Sequence, residues 1–235
     1  AKFIARKLAV KFVSDNPSDA LVDRAAKAFS KSNGDIKTTL RAIFSDDEFF
    51  SAATYRAKIK TPFELAVSAI RTIGADTNSS PAVIAMLTKL GEVPYGYQAP
   101  TGYPDTAEDW VNTGALLERL NFAVALASNQ IPGTRVDLKR FAAPDKSLIM
   151  NKAIAEVLAD DISPATRATL LKQVEQPLPE AKPADTADDD DDEMPAMRQQ
   201  GQGAGRQARL LAPAGDPNVF KVVSLVLGTP EFQRQ

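Results

Sequence analysis

Residues 16–34 read NPSDALVDRAAKAFSKSNG, and this stretch decides the fold class. Asn16-Pro17 offers an N-cap followed by a first-turn proline, whose missing N–H costs a helix nothing at that position. Leu21, Val22, Ala25, Ala26 and Phe29 then recur at helical spacing, and Gly34 suits the stop. The expected element is an amphipathic helix with one buried face.

The same punctuation recurs in both directions. Phe3, Ile4, Leu8 and Phe12 follow helical spacing from the first residues, so the sequence reads as the continuation of an upstream part. Downstream, Asp35 caps a helix that turns Ile36, Leu40, Ile43 and Phe44 inward. Ser45-x-x-Glu48 and Thr61-Pro62-Phe63-Glu64 each fit a capping box, in which hydroxyl and carboxylate satisfy reciprocal N–H groups. Phe63, Val67, Ile70 and Ile73 supply the next stripe, ending at Gly74; Ser80-Pro81 opens another, with Ile84, Leu87 and Leu90, closing at Gly91. From Gly91 to Asp105, Pro94, Pro100 and Pro104 forbid a continuous helix or central strand, so a long loop is expected. Helical spacing resumes through Leu116, Leu117, Leu120, Val124 and Ala127, and two shorter helices follow near 147–160 and 164–174, the second capped by Ser163-Pro164. No segment sustains period-two alternation. The reading is all-α, an irregular bundle of eight to ten helices with no sheet beyond a hairpin.

Residues 1–175 are expected to form the helical body and 176–205 a disordered linker, because Asp188 through Asp192 with Glu193 repel one another and little apolar surface is present. Residues 206–235 are expected to return: from Asp216-Pro217 onward, Val219, Phe220, Val222, Val223, Val226 and Leu227 surround a helix over 217–227 that must be buried. Ile43 to Phe49 and Val226 to Phe232 echo one another, each placing an apolar helix end before a turn carrying Glu-Phe.

The chain of 235 residues holds no cysteine and no histidine, which excludes disulfides, thiolate or imidazole metal sites and every Ser-His or Cys-His arrangement within it. With 28 basic and 30 acidic side chains, the net charge of -2 argues against a nucleic-acid binder. No apolar run approaches the length of a spanning helix, and no cofactor signature is present: the Gly201-to-Gly205 stretch follows no strand and has no adjacent lysine. Residues 1–60 carry 12 basic against 7 acidic side chains, so the acidic segment could be drawn over them or remain an unattached tether.

A set of motifs in order carries a family resemblance: Lys2-Phe3-Ile4-Ala5-Arg6-Lys7-Leu8, Lys60-Thr61-Pro62-Phe63-Glu64, Gly102-Tyr103-Pro104-Asp105 with Trp110, Leu116 to Phe122, and Thr229-Pro230-Glu231-Phe232-Gln233. Together they span most of the chain, which resembles the bacterial family called domain of unknown function 1800. The resemblance implies the C-terminal portion of a longer, mostly helical, exported protein, periplasmic or extracellular, with its own N-terminal part as a partner. It supplies no activity. The family's motif of Asn, Glu, Arg and His lies upstream of these residues, and the acidic insertion is a departure from the family pattern.

Tyr95, Tyr97, Tyr103 and Trp110 gather three of the four tyrosines and the only tryptophan between Gly91 and Trp110. Rings on a proline-stiffened loop can stack on a glycan or another flat ligand, or bind another exported protein, with Asp105, Glu108 and Asp109 accepting hydrogen bonds. They can equally fasten a long loop to the body. The carboxylates fit a helix start after Thr106 as well as a site. Lys7, Lys60, Glu64, Arg71, Glu118 and Arg119 are charges embedded in apolar helices, either site walls or helix-to-helix ion pairs. Three functional classes stay open: an accessory binding region with the four aromatic residues as contact surface; part of an enzyme with Arg119 or Asp105 in the wall of its site; and a structural subunit at the cell surface.

Overall fold

The computed structural model describes residues 1–176 and 216–235, so the expected linker over 176–205 lies outside the described residues except for Gln176, which caps the helix before it. Eleven α-helices are present among the described residues, against the eight to ten expected; the excess comes from two four-residue helices at loop ends, too short for any periodicity to betray. Among the described residues, the one ladder is a two-residue antiparallel pairing between Asp76–Thr77 (β1) and Thr134–Arg135 (β2), beside an isolated antiparallel bridge between Ile59 and Arg234.

Three helices, α1 (Lys2–Phe12), α2 (Asp19–Lys31) and α3 (Ile36–Phe44), close around Ala5, Ala9, Val13, Leu21, Val22, Ala25 and Ile43. Small residues at one α1 face let α2 approach closely. The cap of α2 is Ser18, not Asn16: its hydroxyl accepts from Leu21 N at 3.1 Å, and Pro17 stays outside the helix. The Ser45-x-x-Glu48 pattern starts no helix. Ser45 ends α3, and Glu48 instead accepts from the Ser18 backbone N–H at 3.0 Å, tying the turn segment back to α2. The echo with residues 226–232 breaks at this point, because only the second copy has a proline, Pro230, to preset the first helical φ.

The larger core is built by α4 (Pro62–Thr72), α5 (Pro81–Leu90), α7 (Thr113–Ala127), α8 (Lys146–Leu158), α9 (Pro164–Glu175) and α10 (Pro217–Leu227). The short helices α6 (Ala107–Trp110) and α11 (Pro230–Gln233) complete the set. The capping box at Thr61 and Glu64 is present with both bonds made. Helix α10 lies between α7 and α8, burying Val219, Val222, Val223, Val226 and Leu227, so the C-terminal helix does dock back.

Helix α7 turns a different face inward from the one its leucines mark. Leu116, Leu117, Leu120 and Val124 are between 44% and 57% exposed, while Arg119, Phe122, Ala123, Leu126 and Ala127 are buried. The helix is apolar nearly all round, so periodicity gives little direction. Alanines at 123 and 127 admit the neighbouring helix closely, and the polar tie of Arg119 fixes the rotation.

After α11 the chain runs back antiparallel to residues 58–60. Lys58 and Gln235 exchange both backbone bonds, and Lys60 N donates to Gln233 O at 2.9 Å. The C-terminal residues thus reach the junction between the two cores.

Candidate ligand-binding site

The loop from Gly91 to Thr106 owes its shape to a series of anchors. Glu92 accepts from the Phe63 backbone N–H at 2.8 Å, joining the loop to the first turn of α4. The Tyr103 hydroxyl accepts from Val93 N and donates to Val93 O, both at 2.9 Å, closing the loop on itself. Trp110 Nε1 donates to Pro104 O at 2.9 Å, and its ring is 7% exposed. A buried lysine, Lys58, donates to Asp15 Oδ1 at 2.6 Å and to Asp105 O at 2.9 Å, while Asp15 Oδ2 accepts from Ala107 N at 2.8 Å. Lys11 bridges Glu64 at 3.0 Å and Asp105 at 3.6 Å. Burial works against the Lys11 ammonium, but Glu64 and Asp105 together outweigh it and raise its pKa.

These anchors hold the loop beside α1, and the two enclose a recess of about 340 Å³. Its apolar walls are Phe3, Val10, Tyr97 and Tyr103; its charged groups are Arg6, Lys7 and Asp105. Tyr97 is 44% exposed and lies on Tyr103 at 4.6 Å between ring centroids, and Tyr103 lies 5.8 Å from Trp110. The aromatic rings therefore form a graded series, from the buried indole through a half-buried phenol to an exposed one. Tyr95 stands apart, fully exposed on a residue with φ +59°.

The structure separates the candidate residues. Tyr97, Tyr103 and Asp105 share the recess; Trp110 lies beneath it, and Tyr95 projects from the loop tip. Arg119 is elsewhere, 2% exposed, donating to Gln233 Oε1 at 2.9 Å and to Lys60 O at 2.8 Å; burial pushes its pKa down. Glu108 and Asp109 point away as exposed residues of α6, Asp109 accepting from the Thr106 hydroxyl at 2.6 Å. No group of three or more metal-capable side chains exists among the described residues. Of the embedded charges, Lys7 joins the recess, Glu64 serves the α4 cap and Lys11, and Lys60 and Arg71 line a second cleft. Sequence reasoning missed Asp15, Lys11 and Lys58. Each is an ordinary charge locally, and only pairing across 43 to 94 positions gives it a role.

Fold and recess define a helical protein with a stiff aromatic loop. The family model described as Protein of unknown function (DUF1800) matches residues 1–234, and the chain belongs to that family. No curated protein and no solved structure gives a significant match. Among the described residues, no helix is long and apolar enough to cross a membrane.

Proposed function

We propose that this chain is an accessory binding region whose recess between α1 and the 91–106 loop takes a glycan. The observation that carries this reading is Tyr97: its ring is half exposed, yet it is backed by Tyr103, whose hydroxyl is doubly bonded to the loop backbone. A platform fixed before the ligand arrives loses little conformational freedom on binding. A sugar ring stacked there meets Asp105, with Arg6 and Lys7 as donors on the facing helix. The volume lies at the lower end of small-ligand sites, which suits one or two sugar units. In this reading Trp110 and Arg119 support the site without touching ligand, Tyr95 adds contact from the rim, and the exported setting implied by the family resemblance supplies the glycans.

The test is calorimetric titration of the full chain with cellotetraose and chitotetraose. Saturable binding is expected, weakened at least about tenfold in Tyr97→Ala with a melting temperature within about 4 °C of wild type. Absence of binding by both sugars, or equal affinity in the variant, overturns the proposal.

A second reading, compatible with the first, concerns the exposed apolar face of α7. Leu116, Leu117, Leu120 and Val124 form a continuous stripe of the kind that proteins cover. We propose that it seats an upstream part of the same polypeptide. Leu117→Glu should then block reassociation with that part while leaving the melting temperature of this chain unchanged.

A further inference from the structure

The three N-terminal helices and the trio α8, α9 and α10 share one plan of local ties. Helices α2 and α9 each start at a serine cap, Ser18 accepting from Leu21 N and Ser163 from Thr166 N, both at 3.1 Å. Buried residues stand five, nine and thirteen positions ahead of each serine: Val13, Ala9 and Ala5 before the first, Leu158, Ile154 and Met150 before the second. The third helix of each trio leads into a turn whose glutamate returns to that serine. Glu48 accepts from Ser18 N at 3.0 Å and Glu231 from Ser163 N at 3.1 Å, and a phenylalanine follows each. Counted back from these glutamates, α3 and α10 correspond position by position: Ile43 and Val226, five before, are buried, as are Thr39 and Val222, nine before.

One face departs from the plan. Four, eight and twelve positions before its glutamate, α10 carries Leu227, Val223 and Val219, at most 4% exposed. The same positions of α3 hold Phe44, Leu40 and Ile36, of which Phe44 is 37% and Ile36 45% exposed. Helix α10 has α7 beside it as well as α8, and Gly228 admits Leu120 of α7 so closely that a Cβ there would meet its Cδ2 at 2.5 Å. Helix α3 packs on α2 and α1, and its Ile36-to-Phe44 row is left open to solvent.

We propose that the Ile36, Leu40 and Phe44 face of α3 seats an acidic amphipathic helix of a partner protein, laid beside α3 as α7 is laid beside α10. Side chains four apart form a ridge that fits the groove of a second helix, and helix-in-groove recognition reads such anchors. Rings prolong the row at its C-terminal end. Phe12 stands edge-on to Phe44 at 5.5 Å, Phe49 lies 5.1 Å from Phe44, and the exposed Phe50 stands edge-on to Phe49 at 5.0 Å. Charge then selects the partner. Next to Ile36 and Leu40 on the solvent side stand Lys37 and Arg41, both exposed, and the ion pairs among the described residues include none made by either. At these two places α10 has Phe220 and Ser224, so the basic flank is particular to the open seat. Nearby carboxylates are in use, Asp35 as the cap of α3 through Thr38 N at 2.6 Å and Asp46 in its pair with Arg24, while Asp47 stands beyond the helix end. Acidic side chains on the flank of the incoming helix therefore complete the match. Ser45 occupies the place of Gly228, and its Cβ keeps out a leucine seated as closely as Leu120, so the partner has a small residue there.

The seat lies on α3 and the glycan recess on α1 and the loop, so either proposal can fail alone. The experiment is a fluorescence-anisotropy titration of the full chain with two labelled helical peptides of about 18 residues. One has leucine and alanine on one face and glutamate on the other; its counterpart has lysine for every glutamate. The acidic peptide should bind saturably and the basic one at least about tenfold more weakly. Ile36→Ser should weaken the acidic peptide at least about tenfold. Lys37→Glu combined with Arg41→Glu should reverse the preference, a gain of binding to the basic peptide that loss of folding cannot produce. No saturable binding of the acidic peptide, equal binding of both, or a preference unchanged in the double variant overturns the proposal. Sedimentation velocity and flotation with phosphatidylglycerol vesicles, each on wild type and Ile36→Ser, complete the test. Self-association lost in the variant would give the face to a second copy, and vesicle binding lost in it would give the face to lipid; either result overturns the partner helix.

Discussion

Replacing Arg119 by Met should destabilise the chain severely, although it removes a charge from a buried position. The guanidinium makes two charge-assisted bonds, to Gln233 Oε1 at 2.9 Å and Lys60 O at 2.8 Å, from a residue only 2% exposed. Each such bond contributes about 1.5–3 kcal/mol, and each acceptor left unpaired inside costs about 1–3 kcal/mol. Against this stands the relief of not burying a charge, which burial already signals by lowering the arginine's pKa. Methionine fills most of the volume but leaves the Lys60 carbonyl and the Gln233 amide without their donor. The net cost is therefore about 3 kcal/mol, and at ~2–4 °C per kcal/mol for a chain of this size the midpoint should fall by about 6–12 °C. Thermal unfolding followed by far-ultraviolet circular dichroism measures it. Arg119→Lys should recover less than half, because one ammonium cannot span both acceptors. Adding Gln233→Met to Arg119→Met should cost less than the two single changes together, since the second removes an acceptor already stranded. A midpoint within about 2 °C of wild type for Arg119→Met would refute this reasoning and free Arg119 for a role at a site.

Phe232→Ala, at a buried ring beneath Lys60, should cost about 3–5 kcal/mol in chemical denaturation, and a smaller loss would mean the C-terminal helices dock more loosely than their burial implies. Trp110→Ala should cost about 3–5 kcal/mol and Tyr97→Ala under about 1 kcal/mol, a contrast that equal losses would contradict. Glu64 has its pKa lowered: burial opposes this, but the Thr61 N–H and Lys11 prevail. A carboxylate with a depressed folded pKa stabilises above its unfolded value and loses that contribution as pH falls through the folded one. The melting advantage of wild type over Glu64→Gln should thus be present at neutral pH and shrink as the solution is acidified below the ordinary glutamate range, and a pH-independent difference would exclude the charge as its source.

The sequence showed helix ends more clearly than helix faces. Thr61 with Glu64, Ser163 with Pro164 and Asp216 with Pro217 mark starts that the structure retains, because a cap is a local bond within four residues. Docking of α10 was legible from its apolar circumference. The face of α7 was not, since bulky Leu116, Leu117 and Leu120 outweigh Ala123 and Ala127 in any periodic pattern although close packing favours the small residues. Ser45-x-x-Glu48 has the same letters as a cap, yet Glu48 finds Ser18 across the turn, a tertiary choice invisible locally. Within the aromatic loop, composition cannot sort the rings. Trp110 and Tyr103 find backbone acceptors at Pro104 and Val93 and turn inward, whereas Tyr97 has only Tyr103 behind it.

Hydrogen–deuterium exchange of the full chain, with and without the oligosaccharide that binds most tightly in the calorimetric titration, tests the proposed binding role most directly, because it locates the ligand without altering a residue. Slowed exchange confined to residues 3–10 of α1 and 97–106 of the loop is the expected result. Protection elsewhere, or none at saturating sugar, would contradict a glycan site at Tyr97.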